Sequence, residues 1–440
     1  MITATIGKIF LDTYNKRFHK NYDAQTFFFD VYYPLFFDQE KYLMTAGNTP
    51  LENPKISWAD MIAQKKPYES KEQRRKRLEC LMSKIEIGFP TTDNSIGFGS
   101  TDINSTTSGQ TTCIAYPFAE EDIYFSWFGA SLGVGVQGGL SILFSEPDIL
   151  MDLFEGWKLY RIVLKENSKL KGNQVNTWNG QWLAHCYDKS NFYPEQPMAG
   201  FNPFEKSKDG MSVMTQSWTK ILIGISKQFD NPKMIGYVYN FGQTNTTIGF
   251  IPFSLEHIIR PIQLYIKLFG MEEGMKAEFL WGTEKSFKTC CQKGAIGIEA
   301  MQPKGLRQYM LPDKTKEIKI PKFSDKQLIN YHTYQIWLLA MLNNEELWTK
   351  SFEFAKTLQT YVNNDKKLST KRGNLVKNIL SSSSKKSFLL SLAEIASDAE
   401  SIKAIEENAK IVHMMPTDNV PYYLTLIRFH YASLNNKNLD

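Results

Sequence analysis

The sequence predicts an α+β protein with a β-rich mixed N-terminal body carrying inserted loops, residues 1–322, followed by a C-terminal helical bundle, residues 323–440. Two observations carry this prediction. Apolar runs rich in β-branched and aromatic residues, broken by polar turns, recur through the body. The tail has helical apolar spacing and no proline between residue 323 and Pro416. A chain of 440 residues also exceeds the size at which a single core stops growing, about 250–300 residues.

Four runs in the body predict strands of a mixed or antiparallel sheet. They are LYRIVL, KILIGI, IGYVYNFG and TIGFIPF, at 159–164, 220–225, 235–242 and 247–253. Good helix formers with one apolar side predict a helix over 65–82, and isoleucines and leucines at helical spacing predict an amphipathic helix over 254–272.

Three polar segments with almost no charged residues, 88–112, 176–182 and 240–247, predict long surface loops. Amide and hydroxyl side chains both donate and accept hydrogen bonds, so such loops are suited to base edges and phosphates. A plain surface excursion is the alternative for the first loop. The candidate recognition residues in these loops are Asn94, Asn104, Ser108, Gln110, Asn179, Gln181, Gln243 and Asn245.

Glycines at 133, 135 and 138 imitate a dinucleotide-binding fingerprint, but the segment before them is aromatic and the acids after them are misplaced. Close packing of a glycine-rich element is the preferred interpretation. Trp178 and Trp182 have two interpretations as well: they either stack on bases or are buried in the core.

Positive charge is clustered in two places, although the net charge is only +5. The first cluster is Arg74, Arg75, Lys76 and Arg77 on the predicted helix over 65–82. Four adjacent cations indicate either a solvated helix face or contacts with phosphates.

The second cluster lies in the tail, where Ser324 as N-cap and Gln327 as its capping-box partner predict a helix start. Helices are predicted over 324–345, 345–363, 370–382, 386–395, 399–413 and 420–434. The segment from Lys350 to Leu390 contains nine lysines and arginines but only two acidic residues. The candidate backbone contacts here are Lys366, Lys367, Lys371, Arg372, Lys385 and Lys386.

Signatures of catalysis, metal binding and cofactor binding are missing from the sequence. The six histidines have no HxxxH spacing, the five cysteines have no CxxC spacing, and there is no Walker, GxSxG or kinase motif. We therefore expect no metal, no cofactor and no enzymatic activity. No apolar run approaches the ~20 residues that span a bilayer, and the first fifteen residues lack signal-peptide order, so we expect a cytoplasmic protein without membrane contact.

The tail ends in IVHMMPTDNVPYYLTLIRFHYASLNN, behind a basic helical bundle and a body with polar loops. This organisation resembles the large subunit of a type I, I-B-like, CRISPR Cascade effector complex. The resemblance implies a non-catalytic DNA-binding subunit that recognises the protospacer-adjacent motif in duplex DNA and stabilises the R-loop and the displaced strand. Many members of that family carry paired CxxC zinc ligands, which this chain lacks.

The resemblance also implies partners: a Cascade complex with crRNA, backbone and small subunits, double-stranded target DNA with its displaced single strand, and a recruited nuclease-helicase or transposition proteins. The polar loop residues would approach the motif, the Arg74–Arg77 run would contact duplex phosphates, and the tail cations would follow a single strand. Two alternatives remain: a scaffold whose basic bundle binds an acidic partner, and a nucleic-acid-modifying enzyme without a recognisable motif.

Overall fold

The structure, a computed structural model, is about 64% helical and contains a small antiparallel sheet. It describes the following residues: 1–45, 51–52, 58–86, 94–97, 119–207, 210–229, 233–240, 248–310, 318–322, 327–396 and 402–435. The chain divides into two compact units. The first unit comprises residues 1–256 with 291–296, and the second unit comprises residues 257–290 with 297–440.

The first unit combines helices with all the named strands. Its helices are α1 (Ile2–Phe18), α2 (Ala24–Phe27), α3 (Tyr33–Phe36), α4 (Trp58–Ile62), α5 (Lys71–Ile85), α6 (Glu121–Ser131), α7 (Pro147–Glu166), α8 (Val175–Cys186) and α9 (Trp218–Gln228). A π-helical turn, Phe28–Tyr32, joins α2 to α3. The strands are β1 (Val134–Val136), β2 (Leu140–Phe144), β3 (Phe204–Ser207), β4 (Gly210–Val213), β5 (Ile235–Asn240) and β6 (Ile248–Ser254).

Four strands form an antiparallel sheet in the order β1-β2-β5-β6, and β3 pairs with β4 in a separate hairpin. In the sheet Ile142 lies opposite Val238, which lies opposite Ile251 on β6. Helix α8 lies close against β1, because a Cβ atom on Gly135 would stand 2.8 Å from the carbonyl carbon of Asn176. The glycine-rich segment thus serves close packing, as the sequence predicts.

Aromatic rings fill the core of the first unit between α1, α6 and α7. Phe10 contacts the rings of Phe27 and Trp157 with centroids 5.7 and 5.9 Å apart, and Phe27 lies 5.0 Å from Phe128. These four side chains are fully buried. Edge-to-face pairs of this kind add to the free energy of burying their apolar surface.

The second unit is a helical assembly. It comprises α10 (Leu255–Phe269), whose first two residues belong to the first unit, α11 (Met271–Ala277), α12 (Glu284–Gln292), whose last two residues belong to the first unit, α13 (Leu328–Leu342), α14 (Glu346–Asn363), α15 (Ser369–Ser381), α16 (Lys385–Ala396), α17 (Ile402–Met414) and α18 (Val420–Leu434). Helix α18 packs against α13 and α14, and α14 to α17 pack on one another in chain order.

A buried arginine helps hold this assembly together. Arg428 on α18 is 1% exposed and donates hydrogen bonds to the carbonyl oxygens of Leu380 and Ser382, at the end of α15, and of Tyr309. Carbonyls at a helix C-terminus have no partner within the helix and carry partial negative charge. The guanidinium therefore satisfies the carbonyl oxygens at the end of α15.

The β-rich description of the body is wrong, although the α+β class is confirmed. Residues 159–164 and 220–225, predicted as strands, lie in α7 and α9, and the predicted loop 176–182 lies in α8. Buried residues of α7 recur at helical spacing, as in Leu150, Phe154, Trp157 and Leu164. The spacing of three to four residues between buried positions is that of a helix and not of a strand. A twenty-residue helix with one buried face also contains short apolar runs, and these resemble strands in the sequence.

Most other predicted elements agree with the structure, although the helix predicted over 65–82 begins only at Lys71. Strands β5 and β6, helix α10 and the helices of the tail lie where the sequence predicts them, within a few residues at their ends. The predicted capping box at Ser324 lies outside the described residues, and α13 begins at Leu328.

Candidate nucleic-acid interface

The turn between α14 and α15 presents lysines to solvent. Asp365 accepts hydrogen bonds at Oδ1 from the backbone N–H of Lys367, at 2.8 Å, and of Leu368, at 3.3 Å. This local bonding fixes the turn in the way typical of aspartate. The side chains of Lys366, Lys367 and Lys371 are exposed around it.

Two other cations of the predicted cluster are held by the protein itself. Arg372 donates to the carbonyl oxygen of Tyr361 and lies over its ring, 4.7 Å from the centroid. Lys385 Nζ donates to the carbonyl oxygens of His413 and Met415, each at 2.9 Å, at the end of α17. These two side chains stabilise helix ends and are less available to a ligand.

The remaining cation of the cluster, Lys386, is exposed in the first turn of α16. The first turns of both α15 and α16 contain no acidic residue. Lysine at a helix N-terminus is unfavourable by a few tenths of a kcal/mol, because the helix dipole is positive there. The N-termini of α15 and α16 therefore combine lysine side chains with backbone N–H groups, and both attract anions. We call Lys366, Lys367, Lys371 and Lys386 the lysine surface.

Along the chain, the members of the lysine surface lie near the start of α15 and after its end. Three of its members lie before or within the first turn of that helix, and Lys386 follows its last residue by five positions. A helix of 13 residues is roughly 20 Å long. Lys350, further back on α14, is paired instead with Glu407 at 2.8 Å; this hydrogen bond raises the pKa of Lys350 and lowers the pKa of Glu407.

The Arg74–Arg77 run lies on α5, which begins with a capping box between Ser70 and Gln73. Arg74 is buried and donates to the carbonyl oxygen of Glu69 at 2.6 Å. Arg77 donates to the Glu69 carboxylate, to the carbonyl oxygen of Leu51 and to the hydroxyl of Tyr42. Two of the four cations therefore point into the protein and bind its own backbone and carboxylate.

The other two cations of the run are on the surface. Arg75 is 80% exposed and pairs with Glu79 one turn later at 3.2 Å, and Lys76 is exposed. An exposed i,i+4 pair contributes only about 0.3–0.5 kcal/mol, so a phosphate can displace it easily. The phosphate-binding prediction for this run therefore depends on Arg75 and Lys76.

Two of the amide candidates are completely buried. Asn94 is 0% exposed and donates to the carbonyl oxygen of Lys84 at 3.0 Å. Asn179, also 0% exposed, donates to the carbonyl oxygens of Ser131 and Gly133 and accepts from the indole of Trp157. Both amides hold backbone segments inside the first unit, which places them away from any ligand surface.

The other candidate recognition residues either border a cavity or lie outside the described residues. Gln181 is also buried, with 9% of its surface exposed, and borders a cavity in the first unit. Asn104, Ser108, Gln110, Gln243 and Asn245 lie outside the described residues. Trp178 and Trp182 are buried, and their indoles donate to the carbonyl oxygens of Gly156 and Asp152. Burial is thus the correct one of the two interpretations for these tryptophans.

One polar cluster in the second unit escapes sequence reasoning because its members are far apart in the chain. His332 Nδ1 lies 2.7 Å from Glu273 Oε1, and the hydroxyl of Tyr265 donates to the same oxygen at 2.6 Å. Burial lowers the pKa of His332; burial also opposes ionisation of Glu273, but hydrogen bonds from His332 and Tyr265 outweigh it and lower the pKa of that carboxyl. The cluster joins α10, α11 and α13.

Within the described ranges, no group of three or more histidine, cysteine, aspartate or glutamate side chains could hold a metal ion. In that same part of the chain, no helix is long and apolar enough to cross a membrane. Comparisons with protein-family models, curated proteins and solved structures return no match.

Proposed function

We propose that this chain is a non-catalytic nucleic-acid-binding subunit whose second unit holds the backbone of a single strand on the lysine surface. The observation that carries the proposal is the set of four exposed lysines that lie in the first turns of α15 and α16 or just before α15, where helix stability alone disfavours cations. Together with the resemblance of the tail, this supports the large subunit of an RNA-guided CRISPR surveillance complex, which recognises a protospacer-adjacent motif and stabilises the R-loop.

The spacing of the lysines favours an extended polyanion over a compact one. The two ends of α15 are roughly 20 Å apart, and a strand advances about 3.4 Å per base in a duplex; because a single strand can be more extended, at most about six base steps span the surface. A single carboxylate or phosphate would engage one end only. Exposed lysines on flexible stems also suit a backbone that is held without sequence selection.

The salt dependence of binding tests this proposal. We expect the full-length chain to bind a single-stranded 12-mer with an affinity that falls linearly on a log–log plot against salt. Replacing Lys366, Lys367, Lys371 and Lys386 by alanine should flatten that slope by about 3, because each phosphate contact on a single strand contributes about 0.7. Fluorescence anisotropy at four salt concentrations measures both slopes.

The matched control removes the same charge from the first unit by replacing Lys8, Lys16, Lys20 and Lys206, which are also exposed. Equal slopes for the two quadruple variants would contradict a defined surface, since only net charge would then matter. Stronger binding to an acidic polypeptide than to the 12-mer at equal salt would favour the scaffold alternative.

A second experiment tests the surveillance complex. The chain, purified with its operon partners, should contain a discrete repeat-bearing RNA and should enrich a short duplex motif beside a guide-matched site. Complexes with Arg75→Ala and Lys76→Ala should keep the motif preference but bind duplexes more weakly. Purified partners without RNA and without motif enrichment would remove this part of the proposal.

A further inference from the structure

A polar cavity of about 390 Å³ opens in the first unit, between α8, the 188–202 segment and the start of α9. Its volume lies in the lower part of the roughly 300–1,000 Å³ range of small-molecule sites. Side-chain amides, aromatic rings and one lysine line it. All these groups belong to the first unit, whereas the lysine surface belongs to the second.

Two glutamines in the cavity wall have amide orientations set by the backbone. Gln181 Nε2 donates to the carbonyl oxygen of Met214 at 2.7 Å, and Gln216 Oε1 accepts from the N–H of Ser217 at 3.1 Å. The remaining atoms, Gln181 Oε1 and Gln216 Nε2, meet at 3.4 Å, which is a long hydrogen bond. Gln181 Oε1 keeps a second lone pair and Gln216 Nε2 keeps a second proton. The two glutamines therefore present a hydrogen-bond acceptor beside a donor.

Rigid aromatic packing forms another wall of the cavity. The ring of Phe201 stacks on His185 with centroids 4.7 Å apart and planes at 22°, and it packs edge-to-face with Trp178 and Trp182, with centroids 5.3 and 5.8 Å apart. The ring of Tyr193, also in the lining, is 59% exposed. A flat ligand would therefore find one ring held in place and a second ring able to cover it.

The mouth of the cavity carries opposite charges. Lys220 is exposed in the first turn of α9, an eleven-residue helix capped by Ser217. Asp188, after the end of α8, accepts hydrogen bonds from Asn191 and the N–H of Ser190, and the Asn191 bond leads the causes that lower its pKa. The side of α9 thus suits an anionic group, and Asp188 suits an amino group.

We propose that this cavity binds one unpaired nucleobase, with its 5′-phosphate on the Lys220 side. The adjacent acceptor and donor of Gln181 and Gln216 match the neighbouring amino group and ring nitrogen of adenine or cytosine, in the bidentate manner of glutamine with adenine. Phe201 and Tyr193 supply stacking surfaces. An aliphatic ligand would leave the two amides without compensation for lost water, which makes it a poor occupant.

Calorimetric titration of the full-length chain tests this proposal. The probes are adenosine 5′-monophosphate, cytidine 5′-monophosphate, uridine 5′-monophosphate and ribose 5-phosphate, followed by a single-stranded 8-mer and the same strand with one abasic position. We expect at least one nucleotide to bind at least tenfold more tightly than ribose 5-phosphate. If the base is supplied by a strand, only the 8-mer saturates the cavity, and the abasic strand binds less tightly.

Substitutions in the cavity wall test whether the nucleobase binds in this cavity. Tyr193→Ala, at an exposed position where folding is not at risk, should weaken base binding about tenfold, in line with the loss of one stacking surface. Gln216→Leu keeps the size but removes the amide, and it should abolish the preference for adenine or cytosine over uracil. Phe18→Ala, at another partly exposed ring of the first unit, is the control and should change nothing.

The outcomes are separable from those of the lysine surface. Nucleotide binding should survive in the variant that lacks Lys366, Lys367, Lys371 and Lys386, even if strand binding is lost. Equal binding of ribose 5-phosphate would show an anion site only and would overturn the proposal. So would base binding that Tyr193→Ala and Gln216→Leu leave unchanged, or no binding of any probe.

Discussion

Arg77 and Lys76 are neighbours in the chain but serve different purposes. Arg77 is largely buried and joins the Glu69 carboxylate to Tyr42 and to the backbone of Leu51, whereas Lys76 faces water. Arginine suits the inward position because its planar group offers five donors and stays charged. A run of four cations contains no local signal for this division, since which of them faces the core depends on how α5 docks.

We expect Arg77→Ala to lower the free energy of unfolding by about 3 kcal/mol, because it leaves the buried Glu69 carboxylate without its cation. Lys76→Ala, the matched control, should change stability by less than about 0.5 kcal/mol. Urea titration followed by circular dichroism measures both. Equal effects of the two changes would contradict the inward position of Arg77.

At the scale of elements, the helices are defined by their buried faces and the strands by their partners. Helix α9 buries Trp218, Ile221, Leu222 and Ile225, a set that repeats every three to four residues, although its sequence is rich in isoleucine. Strands β5 and β6 have similar composition but pair with one another as an antiparallel ladder. Composition alone cannot separate these cases, because β-branched residues fit both a buried helix and a sheet.

Close helix packing makes its own prediction. A Cβ atom on Gly129 of α6 would stand 1.8 Å from the carbonyl oxygen of Thr3 on α1, and one on Gly7 would stand 2.0 Å from that of Phe125. We expect Gly129→Ala to destabilise the chain by about 2 kcal/mol, since overpacking costs more than alanine's helix propensity returns. Thermal unfolding followed at 222 nm measures the change.

The control is Gly373→Ala in α15, where an added Cβ meets nothing within 4 Å. This change should raise stability by up to about 1 kcal/mol, through helix propensity alone. A neutral Gly129→Ala would show that α1 and α6 lie further apart than described.

At the scale of the whole molecule, the chain divides into two compact units that carry different features. The strands lie in the first unit, and the second unit carries the exposed lysines of α15 and α16. A net charge of +5 is modest for 440 residues, so attraction of polyanions depends on where the cations are concentrated. This uneven distribution is visible in the sequence without any structural information.

The far-ultraviolet circular dichroism spectrum tests the helical description of the whole chain. We expect a helical fraction close to 64%, with a minor strand contribution. The β-rich body predicted from the sequence would give a much lower helical signal, because its 322 residues are most of the chain. A measured helical fraction near one third, the average for globular proteins, would support the sequence-based description instead.

Local patterns determined much of this protein. Periodicity, capping and charge depend on neighbours in the chain, and they were enough to predict the tail helices, strands β5 and β6 and the amphipathic helix α10. The concentration of lysines after residue 350 is likewise visible in the sequence. Tertiary structure alone decided which polar groups are available. It turned Arg74 and Arg77 inward, buried Asn94 and Asn179 against backbone carbonyls, and brought Gln181 to Gln216 and His332 to Glu273. Burial and long-range hydrogen bonds depend on which elements pack together, and no short stretch of sequence contains that information.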